Sequence, residues 1–294
     1  MPEDGPAFEQ VLDAVGALPD DDEQRNVMVR SVPVRLHELT ASAQRRQGEL
    51  VKIRMDEIPV RASLSGELET FDLDEDEGIG EETAFLYHSG LQVLVLQRNR
   101  TGVSNYGFAE YFQTHAEELL EMDGWMKLLP VIEPETMALL RQVSVVRKFD
   151  VRFAGVHDPR GLLPEAAPAP GVSRMLDLID IFDAPSARIE LSMGHEREGS
   201  LDVERVKRAA RRLLQIDAQE NVDGSVKRIE IRGSTEDEEP VLLDLLRDRM
   251  IETASIELDA DRRLPYERRR QALREAYTGR QDQLRALFGR PEEE

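Results

Sequence analysis

The stretch TAFLYHSGLQVLVLQRNRTGVSNYGFAEYF, residues 83–112, restricts the fold more than any other part of the chain. Two β-rich apolar arms flank Ser89 and Gly90, which supply the backbone freedom of a turn, so the segment predicts an antiparallel hairpin. Past the second arm, Ser104 or Asn105 is placed to cap a helix on which Phe108, Tyr111 and Phe112 fall at helical spacing. Arg98 to Val103 then becomes a strand-to-helix connector, and a sheet with a helix laid on it follows.

The same patterns extend outward. A short helix is expected at Phe8 to Ala17, with alternating strands in NVMVRSVPVRL and LVKIRM. WMKLLPVI reads as a further strand, and Pro134 as the first residue of a helix, PETMALLRQ, with Glu133 before it. SVVRKFDVRFAGV reads as a long alternating strand. The Pro- and Ala-rich DPRGLLPEAAPAPG can continue neither ladder and reads as a linker. Beyond it come a helix (VSRMLDLIDIF), a strand (ARIELSM), a helix (SLDVERVKRAARRLLQ), a strand (VKRIEIRG), a hairpin of PVLLDLL with MIETASIEL, and a final helix opened by Pro265.

The expected fold is therefore α/β (α+β): two mixed α/β domains, mainly antiparallel sheets with helices packed on one face. Their bounds are an N-terminal domain at 1–157 with an acidic loop at 66–82, a linker at 158–171, and a C-terminal domain at 172–294. The last carries a basic helix at 201–216 and a C-terminal helix at 264–288.

Composition narrows the chemistry. With no cysteine, disulfides, thiolate zinc sites and cysteine nucleophiles are excluded. The absence of both a long apolar run and an export signal predicts a cytoplasmic protein without direct membrane insertion. Asp72, Asp74 and Asp76 sit at positions one, three and five of a calcium loop, but Glu77 and Thr83 replace the Gly and the bidentate acid such a loop needs. His37, His88, His115, His157 and His195 form no helical metal pair, and His88 beside Ser89 lacks a nucleophile elbow. No cofactor, metal or catalytic set is expected from these motifs.

A net charge of −21 makes clustered cations the informative minority. On the helix SLDVERVKRAARRLLQ, Val203, Val206, Ala210, Leu213 and Leu214 form one apolar stripe. Arg205, Arg208 and Arg212, flanked by Lys207 and Arg211, are expected on the opposite side as a ridge that can span phosphates. A second basic stretch, Arg262, Arg263, Arg268, Arg269, Arg270 and Arg274, crowds the start of the last helix, where the macrodipole favours anions.

In the order of these features the chain resembles the RexA-like family of phage-exclusion proteins. The pattern runs from about 83 to 280, through VLVLQRNRTGVSNYGFAEYF, LLPVIEPETMALLRQVSVVRKFDVRFAG, ARIELSM, VERVKRAARRLL and VKRIEIRG. The resemblance implies a non-enzymatic homodimer that binds double-stranded DNA with little sequence preference in an anti-phage pathway, signalling to a membrane effector encoded nearby. It places DNA contact on Arg205, Lys207, Arg208, Arg211 and Arg212, to which the connector adds Arg98 and Arg100. Two other readings stay open: an acidic protein-interaction module or DNA mimic that docks a basic partner, and a metal-dependent nuclease or nucleotide-processing enzyme built on Asp150, Glu190 and Glu230.

Overall fold

The computed structural model describes residues 8–122, 126, 128–154, 170–196, 199–219 and 226–289. The chain forms two compact units, one of Met1–Met126 with Glu252–Glu294 and one of Lys127–Ile251. The second is thus inserted into the first in sequence.

In the first unit, helix α1 (Phe8–Ala17) is followed by five strands: β1 (Asn26–Val29), β2 (Val32–Ala41), β3 (Arg45–Arg54), β4 (Ile79–His88) and β5 (Val93–Leu96). They pair in chain order as an antiparallel meander, each strand beside the one just completed, with short turns everywhere except the long acidic connection between β3 and β4. The expected hairpin is β4–β5, with Phe85 opposite Leu96 and His88 opposite Val93. Helix α2 (Asn105–Leu120) starts where Ser104 Oγ accepts the Gly107 N–H at 3.0 Å, and ends at Glu121 in the left-handed region.

Alternation decides the two faces of β4. Phe85 and Tyr87 meet α1 and α2 in an edge-to-face aromatic cluster with Phe8, Phe108 and Phe112. Gly48 lies opposite Phe85, and a Cβ there would stand 2.6 Å from the ring, so glycine makes room for it. Tyr111 is fully buried; its hydroxyl donates to the Arg25 carbonyl at 2.8 Å and accepts the Leu36 N–H at 2.9 Å. Tyr111→Phe should leave both backbone groups unpaired in the core and cost about 2 kcal/mol in chemical denaturation; an unchanged midpoint would refute that role.

The opposite face of the same sheet carries Glu49, Glu82, Leu86 and His88, and helix α6 (Tyr266–Phe288) lies on it through Leu273, Tyr277 and Leu284. Tyr277 stacks on His88 at 5.3 Å, and Arg269, 3% exposed, pairs with Glu49 at 2.5 Å and Glu82 at 3.0 Å. The C-terminal helix, expected in the second domain, therefore belongs to the first, where it adds a third layer.

The second unit begins with α3 (Pro134–Gln142), which starts at Pro134 as expected, and β6 (Val143–Ala154). Then follow α4 (Pro170–Ile181), β7 (Ser186–Ser192), α5 (Val203–Gln219), β8 (Val226–Thr235) and β9 (Pro240–Asp244). The antiparallel sheet has the order β7-β6-β8-β9. Val146, Phe149, Val151, Phe153, Ile229 and Ile231 pack against Val172, Leu176 and Ile179 of α4 and Val206, Ala210 and Leu213 of α5.

Four further expectations change. A boundary at 158–171 would divide the β6–β8 sheet, and most of that proposed linker lies outside the described residues, with Pro170 and Gly171 opening α4. Among the described residues of WMKLLPVI there is no strand, only the single bridge of Ile132 to Arg249. MIETASIEL forms no strand either, because β9 takes its ladder from β8. The acidic loop expected at 66–82 also ends earlier than its charge suggests, since β4 already starts at Ile79.

Candidate nucleic-acid interface

Helix α5 keeps its expected apolar stripe: Val206, Ala210 and Leu213 are buried, with Val203 and Leu214 packed beside them. The five cations divide. Arg205, Arg208 and Arg211 are exposed and fall at i, i+3 and i+6, a spacing that lines side chains along one helical row. Arg205 pairs with Asp202 at 3.0 Å with both groups solvated, an arrangement worth little in water. Arg208 and Arg211 have no ion-pair or hydrogen-bond partner among the described residues.

Lys207 and Arg212 do not join that row; they are 7% and 9% exposed. Lys207 flanks the apolar stripe, and its Nζ donates to the Arg141 carbonyl at 3.0 Å, in the last turn of α3. A cation there complements the carbonyl end of a helix, so Lys207 fastens α3 to α5 and is withdrawn from any external partner.

Arg98 and Arg100 are exposed, but they belong to the first unit and α5 to the second. The connector is held by their neighbours: Asn99 Nδ2 donates to the Glu82 carbonyl at 2.8 Å, and the Val103 N–H donates to Thr83 Oγ1 at 2.9 Å. The polar cluster between strand and helix is thus explained first as a clasp on β4.

The second basic stretch is largely matched by carboxylates of its own chain. Arg263 pairs with Glu82, Arg268 with Glu257, Arg269 with Glu49 and Glu82, and Arg270 with Glu267. These contacts account for cations at a helix start that local electrostatics disfavours.

A further charged set lies on the sheet face that α4 and α5 leave uncovered. Register places Glu190, Asp150, Glu230 and Asp244 in one row across the four strands. Arg188, Arg152 and Arg228 form the adjoining row, and Lys148 and Arg232 stand beyond the acids on the other side. Like charges directly opposite one another destabilise a ladder, and here ion pairs across and along the strands relieve them. Arg188 binds Asp150 through two bonds, at 3.0 and 2.7 Å, Lys148 binds Glu190 at 2.8 Å, and Glu230 receives Arg228 and Arg232. The Arg188 bonds hold the Asp150 carboxyl below its usual range; burial pushes Glu230 up, but its two arginines more than reverse that.

The structure therefore does bring Asp150, Glu190 and Glu230 together, on adjacent strands, and guanidinium and ammonium groups occupy them. Among the described residues no group of three or more His, Asp or Glu side chains is arranged to hold a metal ion. Of the histidines, His88 stacks on Tyr277, and burial beside Tyr111 pushes the His115 imidazole down to about 4, so it stays neutral. His157 lies outside the described residues. Among the described residues, no helix is long and apolar enough to cross a membrane.

These features define a two-unit α/β protein whose inserted unit presents an arginine row on one helix and an ordered arginine-carboxylate lattice on its open sheet face. The chain belongs to DUF6731, a family of unknown function whose model matches residues 8–285. That match carries no link to the RexA-like proteins. No curated protein matches the chain.

Proposed function

We infer that the protein is a sequence-tolerant DNA-binding protein that works as a pair of identical chains, contacts phosphates through α5, and serves in phage exclusion without catalysing a reaction. The observation that carries this reading is the row of Arg205, Arg208 and Arg211, exposed on a well-anchored helix, with two of the three lacking any carboxylate partner among the described residues. Arginine forks suit phosphate oxygens, and such contacts fix position on a duplex without reading bases. The net charge of −21 opposes approach at long range, so binding is confined to this row and depends strongly on salt.

The test is a gel shift with a mixed-sequence duplex at ~50 mM salt, where phosphate contacts are favoured. Arg208→Glu with Arg211→Glu should weaken retention by about 30-fold or more and flatten the log–log salt slope by roughly two, near one per lost phosphate contact. Because both side chains are exposed, the fold should be unaffected. Wild-type protein that fails to retain duplex while capturing basic polypeptides would favour the acidic interaction module instead.

A further inference from the structure

Strand β7 is an open edge: it pairs with β6 on one side, and among the described residues nothing pairs with the other. Sheet edges with unpaired N–H and C=O groups are templates for another strand, and soluble proteins usually guard them with charged side chains or proline. β7 carries two charges, but they are of opposite sign and can neutralise each other across a paired edge. Its sequence, Ser186-Ala187-Arg188-Ile189-Glu190-Leu191-Ser192, is symmetric in chemical type about Ile189, with opposite charges at equal distances from the centre.

We propose that β7 is a self-association edge, where the β7 of a second copy of this chain adds antiparallel about a two-fold axis through Ile189. In that register Ile189 meets its own equivalent, Ala187 meets Leu191, Ser186 meets Ser192, and Arg188 meets Glu190 twice. A two-fold interface requires a patch complementary to itself, and this strand supplies one along its whole length. A slip by one residue would turn the apolar positions to the wrong face, and a slip by two would set Arg188 against Arg188 or Glu190 against Glu190.

The side chains are already arranged for it. Arg188 Nε and Nη2 are occupied by Asp150 and Glu190 of the same chain, while Nη1 has no partner among the described residues. Lys148 and Arg188 both approach Glu190 at Oε2. The Arg188 Nη1 donor is the group that the carboxylate of an opposing Glu190 can accept from. On the helix-covered face Leu191 remains 43% exposed; Leu178 of α4, which packs on β7, is 51% exposed and the following Phe182 74%. Pairing two copies would join two four-stranded sheets into one of eight strands.

The inference deepens the paired state proposed above, and its test reads mass without nucleic acid, so it fails separately from the gel shift. Sedimentation of the full chain should give a particle of twice the 33.4 kDa chain mass. Glu190→Arg alone sets Arg against Arg twice, and Arg188→Glu alone sets Glu against Glu twice, so each should raise the dimer dissociation constant by about 100-fold or more. Mixing the two variants restores two opposite-charge pairs and should return the double-mass particle, a rescue that misfolded chains would not show. A wild type at single mass would overturn the proposal, as would either variant retaining double mass or a mixture of folded variants, verified by circular dichroism, that stays at single mass.

Discussion

Arg269→Ala is expected to lower the melting temperature of the unit formed by residues 8–126 and 252–289 by roughly 10 °C at pH 8, from a loss of about 3–5 kcal/mol. Arg269 is the cation through which α6 is tied to the sheet: it joins Glu49 and Glu82 and donates to the Leu264 carbonyl at 3.0 Å. Without it, two carboxylates share a site with Glu49 only 1% exposed. The loss should shrink at pH 5, where Glu49 can take a proton instead. Thermal scans at both values test this, and equal melting of variant and wild type at pH 8 would show that α6 is held by its apolar face alone.

Glu49→Gln should act in the opposite sense and remove most of the pH dependence of this unit's stability between pH 4.5 and 7. Burial pushes the Glu49 carboxyl up to about 7, against the pull of Arg269 and with a further push from Glu82. The folded chain therefore keeps a proton that the unfolded chain releases near 4.5, and binds more protons throughout that window. Stability is fully present below the unfolded value and falls as pH rises through the folded one, by about 3 kcal/mol in total. Gln cannot ionise, so the variant should track the wild type at pH 5 and melt higher at pH 8. Parallel curves for the two proteins across this range would contradict the assignment.

Buried ionic clasps of this kind are an inefficient source of stability, since desolvation offsets much of the Coulomb gain. Their effect here is placement. Gln47 Nε2 donates to the Arg270 carbonyl at 3.4 Å, next to the Arg269 clasp, so the polar contacts select where on the sheet α6 lies while Leu273, Tyr277 and Leu284 supply the apolar burial. A helix separated from its sheet by the inserted unit needs such a specific address, because apolar surface alone is not directional.

The sequence by itself determined the local elements and the faces they bury. Periodicity located α1, the β4–β5 hairpin, the Ser104 cap, the Pro134 start and the stripe of α5, since these depend on neighbours a few residues away. It also held a signal left unused: a cation and an acid two residues apart recur as Lys148–Asp150–Arg152, Arg188–Glu190 and Arg228–Glu230–Arg232, which on strands must share one face.

Only the tertiary structure decided which elements share a sheet and which charges reach solvent. β6 pairs with β7 and β8 across intervening helices, and α6, which follows the inserted unit in sequence, packs on β3 and β4; no local pattern encodes partners so distant in the chain. The same holds for the cations. Lys207 and Arg208 are adjacent, yet the first is drawn into the carbonyl end of α3 while the second stays in water, because the position of α3 exists only once the unit has folded.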